Sequence, residues 1–240
     1  MCGRYAVPDP AAVERLCATD FRRGFSWMRP LFNVAPATQV PIIVQAPDGL
    51  QEIKGARWGL IPPWWKKDSP PALTFNARSE EAARKPVWRD SLQTTRCLMP
   101  ALGWYEWNAN RPGLGKSRKS GQPYFISSPD AAAIAFAGIW AAWSPRGSDP
   151  VISCGMLTKS AAAGIAFIHP RMPVVLNPNQ FAAWLDPATT PAGIQELVAH
   201  ARTDFINQPV STRVNNVRND DPELIARAGL ATMDALDFGE

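Results

Sequence analysis

The beginning of the chain places Cys2, Gly3 and Arg4 directly after Met1. Removal of Met1 would give Cys2 a free α-amine and a thiol on adjacent carbons. The amine titrates near pH ~7.7–8.0 and the thiol near ~8.5, so part of each is nucleophilic at neutral pH without burial or a metal. Both groups are able to attack one aldehyde, the amine by forming an imine and the sulfur by closing a thiazolidine ring. The terminus therefore predicts covalent capture of an aldehyde, and the alternative is a frayed end without a role.

Glu106 is flanked by aromatic residues in a strand-like run, with Trp104 and Tyr105 before it and Trp107 after it. Alternation in a strand places Glu106 and Trp104 on one face and the other two on the opposite face. Aromatic neighbours remove water from a carboxylate, which favours its protonated form and suits it to general acid and base catalysis. The alternative is a strand glutamate that faces solvent.

Two further polar residues lie where prolines stiffen the chain. Asn76 follows a proline-rich stretch, and its amide is able to orient an amine or a thiol by hydrogen bonding. His169 is followed by Pro170, and imidazole is the usual proton carrier near neutral pH. Singly, such an asparagine is more often a turn or cap residue and such a histidine is more often packed and hydrogen-bonded.

Four arginines are candidates for binding phosphates, although each of them singly is more often a surface residue: Arg4, Arg78, Arg84 and Arg171.

The 240 residues are 46% hydrophobic, which is enough to bury a large core. We expect one domain over residues 1–240, with a core over about 2–218 and an irregular C-terminal tail. The longest apolar stretch, Ala131 to Trp143, is shorter than the ~20 residues of a membrane span, and the N-terminus lacks a secretory leader. The expectation is a soluble, monomeric protein of the cytoplasm.

The cysteines offer no metal site in their spacing. Cys2, Cys17, Cys97 and Cys154 form no C-x-x-C pair, and the chain has only two histidines. Neither zinc nor haem has a ligand set here, and we expect no metal, no other cofactor and no disulfide.

The charges are divided unevenly along the chain. Residues 1–120 hold 18 Lys and Arg against 10 Asp and Glu, whereas residues 121–240 hold 7 against 11. A basic half is typical of a surface that meets a polyanion, although a merely solvated basic face has the same composition. Tryptophans lie beside cations, as in Trp64-Trp65-Lys66-Lys67, and this pairing suits single-stranded nucleic acid because rings stack on bases and cations meet phosphates. Core packing is the alternative use of these rings.

Helix and strand patterns predict a β-rich core with helices around it. Asp9 and Pro10 are typical of a helix start, leading into Ala11 to Ala18. Prolines exclude regular structure from Leu60 to Phe75, and the basic span Asn108 to Gly121 is predicted as an exposed loop. Further helices are predicted at Glu80 to Lys85 with Ser79 as cap, Val87 to Gln93, Asn177-Pro178 through Leu185, and Ala192 to Ala201. The predicted strands are Val40 to Gln45, Glu52 to Trp58, Arg96 to Met99, Leu102 to Trp107, Tyr124 to Ser127, Ile134 to Trp140, Val151 to Thr158, Val174 to Leu176 and Phe205 to Thr212, with a turn at Pro47-Asp48-Gly49.

This order of elements lacks the strand and helix alternation of a doubly wound sheet and shows no internal repeat. We therefore predict an α+β fold in which a closed or nearly closed antiparallel sheet is surrounded by peripheral helices. Such a sheet must bring the amine and thiol of Cys2 to the carboxamide, carboxylate and imidazole named above.

Nine blocks of distinctive residues follow one another along the chain. The first seven are Cys2-Gly3-Arg4, Asn33-Val34-Ala35-Pro36, Trp58-Gly59-Leu60-Ile61-Pro62 with Trp64-Trp65, Asn76-Ala77-Arg78, Arg96-Cys97-Leu98-Met99-Pro100 leading to Gly103-Trp104-Tyr105-Glu106-Trp107, Phe136-Ala137-Gly138-Ile139-Trp140, and Ile168-His169-Pro170-Arg171-Met172-Pro173. The last two are Pro209-Val210-Ser211 and Asn215-Asn216-Val217. Together, from residue 2 to about 218, they resemble the SOS response-associated peptidase (SRAP) family.

The resemblance implies a protein of the DNA damage response that shields abasic sites in single-stranded DNA by a covalent thiazolidine crosslink through Cys2. It implies lyase-type imine chemistry and loss of Met1, with Asn76 positioning the terminus, Glu106 holding the amine and His169 assisting ring opening. The expected partners are single-stranded DNA with abasic sites and replication or repair proteins, at the nucleoid and with no membrane. The residues implied to contact DNA are Arg4, Pro36, Trp64, Trp65, Arg78, Arg84, Thr158 and Arg171.

Two departures and two alternatives accompany this interpretation. Asn108 stands where many members have lysine, and the loop after it is longer and more basic than the family pattern, which bears on the preferred DNA structure. One alternative is an N-terminal-nucleophile hydrolase or thiol peptidase that uses Cys2 with His169 or its own amine as base. The other is a non-catalytic reader of DNA in which Cys2 is incidental.

Overall fold

Strands outnumber helices in the structure, a computed structural model that describes residues 2–17, 27–72, 74–108, 121–130, 132–144 and 149–228. None of the helices in these ranges is long and apolar enough to cross a membrane. The strands are β1 (Tyr5–Val7), β2 (Leu31–Val34), β3 (Gln39–Gln45), β4 (Gln51–Trp58), β5 (Asn76–Arg78), β6 (Arg96–Ala101), β7 (Gly103–Asn108), β8 (Gln122–Ser127), β9 (Ile134–Trp143), β10 (Val151–Ser160), β11 (Arg171–Pro173), β12 (Val175–Leu176) and β13 (Ile206–Pro209). The α-helices are α1 (Pro10–Cys17), α2 (Ser79–Ala82), α3 (Pro86–Thr94), α4 (Phe181–Leu185) and α5 (Pro191–Ala199).

A closed barrel of five strands forms the centre of the fold. Its strands pair in the order β4, β3, β6, β9 and β10, and β10 returns to pair with β4. Strands β11 and β5 extend the barrel at β10, and β12 extends it at β9. The pairs are antiparallel except at β10, which runs parallel to β4 and to β5. The structure thus confirms the predicted α+β fold with a closed sheet and peripheral helices, and the barrel is mixed rather than wholly antiparallel because β10 runs parallel to β4.

A second sheet, in the order β13, β8, β7, β1 and β2, covers the barrel. Only Leu102 separates β6 of the barrel from β7 of this sheet. The chain turns between them at Gly103, where a Cβ atom would collide with the backbone carbonyl of Ile126. This corner carries Glu106 out of the barrel wall and onto the sheet that also holds the N-terminal strand.

The two faces of the second sheet bury different clusters, as the alternation in β7 predicts. Tyr5 and Trp104 belong to the main core, where the Tyr5 ring meets Trp58 edge-on with centroids 5.1 Å apart. Tyr105 and Trp107 belong to a smaller cluster on the opposite face. Because each face buries aromatic rings, the register of β7 is fixed, and so is the direction of every side chain on it.

Most predicted elements are present with small shifts at their ends. Helix α1 begins at Pro10, and the Asp9 carboxylate accepts the Ala12 N–H at 2.8 Å as an N-cap. The prediction that Ser79 caps the helix after it is wrong, because Arg78 occupies the cap position and Ser79 begins α2. Residues 109–120 of the predicted basic loop and residues 229–240 of the predicted tail lie outside the described residues.

Asn33 holds the C-terminal segment against β2. Its side chain is buried, and its Oδ1 accepts a hydrogen bond from Arg4 Nη1 at 2.7 Å. Its amide nitrogen donates to three backbone carbonyls, those of Val214 (3.2 Å), Asn216 (3.0 Å) and Asn219 (2.9 Å). One carboxamide therefore links β2 and Arg4 to residues 214–219.

We expect Asn33→Ala to lower the free energy of unfolding by about 2–4 kcal/mol, because it removes the Oδ1 acceptor of Arg4 and the donor that three backbone carbonyls of residues 214–219 share. Denaturant unfolding measures this loss. The matched control is Asn179→Ala, at an exposed asparagine, with an expected change within about 0.5 kcal/mol. Equal losses in the two variants would show that the hydrogen bonds of the Asn33 side chain do not stabilise the fold.

Candidate active site

Cys2 is fully buried, and Asn76 fixes its backbone. The Asn76 amide nitrogen donates to the Cys2 carbonyl at 2.5 Å. Asn76 begins β5 and pairs with Met156 of β10, so this contact attaches the N-terminal segment to the barrel. Asn76 Oδ1 is buried and has no hydrogen-bond partner among the described residues, which makes it an open acceptor beside Cys2.

Glu106 and His169 form the second pair of predicted site residues. Glu106 is only 1% exposed, which excludes the solvent-facing alternative, and its Oε1 lies 3.8 Å from His169 Nδ1. His169 lies between β10 and β11, and its side chain is 23% exposed. The pair therefore connects a buried carboxylate to a partly solvent-accessible imidazole.

The strand register brings the two pairs together. Tyr5 of β1 is opposite Trp104 of β7, and the Tyr105 N–H donates to the Arg4 carbonyl at 3.0 Å. Continuing this antiparallel register past Arg4 and Tyr105 would place Glu106 opposite Gly3, next to Cys2. The Cys2–Asn76 contact and the strand that carries Glu106 thus both lie toward the N-terminal end of β1, although the residues involved are far apart in the sequence.

The imidazole of His169 has partners for two protonation states. Its Nδ1 accepts the backbone N–H of Arg171 at 3.0 Å when that nitrogen is unprotonated. When Nδ1 carries a proton, the Arg171 carbonyl at 3.1 Å is the acceptor, and the Glu106 carboxylate lies 3.8 Å away. Nδ1 therefore has a hydrogen-bond partner in either protonation state.

Burial keeps the thiols of the other three cysteines protonated. Cys97 and Cys154 are fully buried, and burial raises the pKa of each thiol well above its ordinary value. Burial also raises the pKa of Cys17 to about 12. Because the thiolate is the nucleophile, these three sulfurs remain unreactive thiols at neutral pH.

The tryptophans of the proline-rich loop lie at the surface. Trp64 is 49% exposed, and its ring centroid is 6.3 Å from that of Trp65. Trp65 is held by its indole N–H, which donates to the Ser69 carbonyl at 2.8 Å, and Lys67 lies 5.8 Å from its ring. The loop runs directly into Asn76, so these rings are connected to the Cys2 contact through a short length of chain.

Arg171 is held by Glu80, a carboxylate that no sequence pattern singles out. Its Nη1 and Nη2 donate to the two oxygens of Glu80 at 2.7 and 2.9 Å, and Nη2 also donates to the Thr158 carbonyl at 2.7 Å. This bidentate pair lowers the pKa of Glu80. The sequence could not predict it because the two residues are 91 positions apart.

The remaining residues implied to contact DNA divide into exposed and internal groups. Arg78 and Arg84 are exposed, and Arg78 lies 3.6 Å from Glu81. Thr158 is 1% exposed. Arg4 also donates to the Val214 carbonyl at 2.8 Å, so part of its guanidinium serves the fold.

Pro36 lies beside a strained turn. The next residue, Ala37, has φ 74°, a left-handed conformation that a residue with a side chain adopts at a cost. The Ala37 N–H donates to the Trp58 carbonyl at 2.7 Å, which holds the turn against β4. This hydrogen bond holds the turn that carries Pro36. Pro36 lies at the edge of a cavity of about 320 Å³ that is also lined by Arg57, Pro70 and Phe75.

Comparison with known proteins agrees with the fold and the motifs. The family model described as SOS response associated peptidase (SRAP) matches residues 1–217. The abasic site processing protein YoqW of Bacillus subtilis is 35% identical, covering 94% of this chain and 99% of its own. The abasic site processing protein HMCES of Gallus gallus is 31% identical over 94% of this chain and 77% of its own.

Solved structures share the fold. A protein from Bacteroides thetaiotaomicron superimposes with a TM-score of 0.80 at 21% identity, covering 95% of this chain and all of that one. A phage-related protein from Bordetella bronchiseptica gives a TM-score of 0.67 at 30% identity, covering 87% and 94% of the two chains.

The Glu80 ion pair should give the protein a pH-dependent stability. Its folded-state pKa lies below the ordinary value of 4.5, so its contribution is present above that pH and is lost as pH falls through the lowered value. We expect Glu80→Gln to lower the melting temperature slightly at pH 7 and to converge with the wild type as the pH falls from about 4.5 through the lowered pKa.

Thermal melts between pH 3 and 7 provide the measurement. Glu14→Gln, at an exposed carboxylate in α1 without an ion pair among the described residues, is the control and should run parallel to the wild type throughout. A wild type that is no more stable than Glu80→Gln at pH 7 would exclude the contribution.

Proposed function

The chain belongs to the SOS response associated peptidase (SRAP) family, and on that premise we propose that it processes abasic sites in single-stranded DNA through a covalent bond to Cys2. The relatives that are named abasic site processing proteins support the substrate. The proposal is supported by the hydrogen bond from Asn76 to the Cys2 carbonyl, by the Glu106–His169 pair, and by the β1–β7 register that runs toward both.

The proposed reaction consumes one aldehyde and releases one water. Removal of Met1 frees the Cys2 amine, which adds to C1′ of the ring-opened deoxyribose to give a carbinolamine. Loss of the hydroxyl as water gives an imine, and the Cys2 sulfur then adds to the imine carbon while its proton passes to the nitrogen. The product is a thiazolidine that links the protein to the DNA.

The neighbouring side chains have matching tasks. The Asn76 oxygen is a buried open acceptor that would take an N–H of the freed amine while the Asn76 nitrogen keeps the Cys2 carbonyl in place. Glu106 would hold the amine and exchange its proton, and His169 would assist opening of the sugar ring and departure of the hydroxyl. The raised pKa values of the Cys17, Cys97 and Cys154 thiols leave Cys2 without a competing thiolate from these three residues.

The surface around the site supports binding of a polyanion. Trp64 offers an exposed ring for stacking, and Arg78 and Arg84 offer exposed cations for phosphates. Arg171 and Thr158 lie together beside His169 and would contribute once a phosphate competes with Glu80. The tryptophans would then wedge against bases and bend the strand.

We expect Cys2→Ser to separate the two covalent steps. The variant keeps the amine and loses the sulfur, so it should form no denaturant-resistant adduct with a single-stranded oligonucleotide that carries one abasic site. Borohydride should still trap its imine. Gel mobility under denaturing conditions and intact mass measure both results, and the mass also establishes the loss of Met1.

The matched control is Cys17→Ser, which removes a partly buried thiol and should retain the full adduct. A stable adduct in Cys2→Ser, or a wild type that retains Met1 and still reacts, would refute the thiazolidine. Turnover of peptides by the wild type without any DNA adduct would favour the thiol peptidase instead.

We expect Trp64→Ala to weaken binding to single-stranded DNA by about 1–3 kcal/mol, because it removes one stacking ring. Fluorescence anisotropy measures the affinity. Trp27→Ala removes a ring of the same exposure, 50% against 49%, to which no DNA contact is assigned, and should bind like the wild type. Equal losses in both variants would contradict the assignment to Trp64.

A further inference from the structure

Phe167 is an exposed ring on the segment that leads to His169. It is 51% exposed, whereas Ile165 and Ile168 on the same turn are 2% and 3% exposed. The two isoleucines anchor the turn in the core, and Phe167 is left pointing outward. A single exposed apolar residue is common on protein surfaces, so the position of this ring, and not its exposure, requires explanation.

The position is fixed by Tyr124. The Phe167 and Tyr124 rings meet edge to face, with centroids 5.8 Å apart and an interplanar angle of 87°. Tyr124 lies on β8 directly opposite Glu106 on β7. Directly opposed residues of an antiparallel pair project to the same face, so Tyr124 and Glu106 share a face. The Phe167 ring therefore borders the Glu106 and His169 pair.

We propose that Phe167 is a stacking platform for the nucleobase next to the abasic sugar in single-stranded DNA. The proposal rests on the proposed function for its ligand. An abasic nucleotide leaves the neighbouring base without a stacking partner on one side, and an aromatic ring replaces that partner irrespective of base identity. In a perpendicular pair Tyr124 covers at most one face of Phe167, so the other face is left clear of Tyr124.

This platform is separate from the tryptophans. Trp64 and Trp65 belong to the loop that runs into Asn76, whereas Phe167 belongs to the turn that runs into His169. Asn76 contacts Cys2, and His169 lies against Glu106. The candidate active site therefore has exposed aromatic rings on two separate segments. This arrangement suits a DNA strand whose bases continue on both sides of the reacting sugar.

The test measures binding without chemistry. The probe is a single-stranded oligonucleotide with one central tetrahydrofuran site, which lacks the aldehyde. Phe167→Leu keeps an apolar side chain without a ring and should bind about tenfold more weakly, whereas Phe167→Trp should bind like the wild type. Leu50→Ala, at a side chain of 50% exposure in the β3–β4 hairpin turn, is the control and should also bind like the wild type.

A second probe set identifies the contacted base. In this set, either the 5′ or the 3′ neighbour of the central site is replaced by another tetrahydrofuran. One of these two replacements, and not the other, should abolish the difference in affinity between the wild type and Phe167→Leu. Equal binding of the two proteins to the first probe, or a difference that persists when either neighbour is removed, would overturn the stacking role.

The outcomes keep the two proposals distinct. Loss of binding in Phe167→Leu together with a wild type that forms no adduct on a true abasic site would support the platform and refute the covalent chemistry. An adduct in the wild type with unchanged binding in Phe167→Leu would refute the platform and leave the chemistry standing.

Discussion

The hydrogen bond from Asn76 to the Cys2 carbonyl is the contact on which the candidate site depends. Chain ends usually fray, because few contacts compensate the entropy of ordering them. Here the second residue is fully buried, and the strand that follows it pairs with β2 on one side and β7 on the other. A buried donor that loses its acceptor costs more than the bond itself contributes, so Asn76 and Cys2 hold each other in place. The barrel is needed to present Asn76 at that point.

The second sheet positions Glu106 and holds β1 in place. Strand β7 carries Glu106 into the interior because its aromatic neighbours fill both faces of the second sheet. A buried carboxylate is costly unless a partner is near, and His169 supplies one across 3.8 Å. The Asp220 carboxylate accepts the backbone N–H groups of Phe32 and Asn33 at 2.6 and 3.2 Å, which ties the last described turns to β2, the neighbour of β1. The N-terminal strand is thereby fixed along both edges.

The sequence predicts those parts that are encoded by short-range pattern. The β3–β4 hairpin, the start of α1 and the two faces of β7 follow from turn residues, an N-cap and alternation, all within a few positions. Strands β1, β5 and β11 are not predicted, because three residues are too few to show a period. Their pairing is decided by the barrel. The motif blocks identify Asn76, Glu106 and His169, but their mutual distances depend on long-range register, which no local pattern encodes.

The cations of the candidate DNA surface differ in how far they are already paired with carboxylates, and therefore in how strongly they would bind a phosphate. The two Nη atoms of Arg171 are engaged with Glu80, and its buried Nε is without a hydrogen-bond partner in the described part of the chain. Glu81 is paired with Lys85 and lies near Arg78, so two carboxylates of α2 compensate three cations. A phosphate that reaches Arg171 must exchange with a carboxylate and so gains less than it would from a free guanidinium. Non-covalent attraction by this surface is thereby limited, and a bond formed at Cys2 would supply the persistence that ion pairs alone would not.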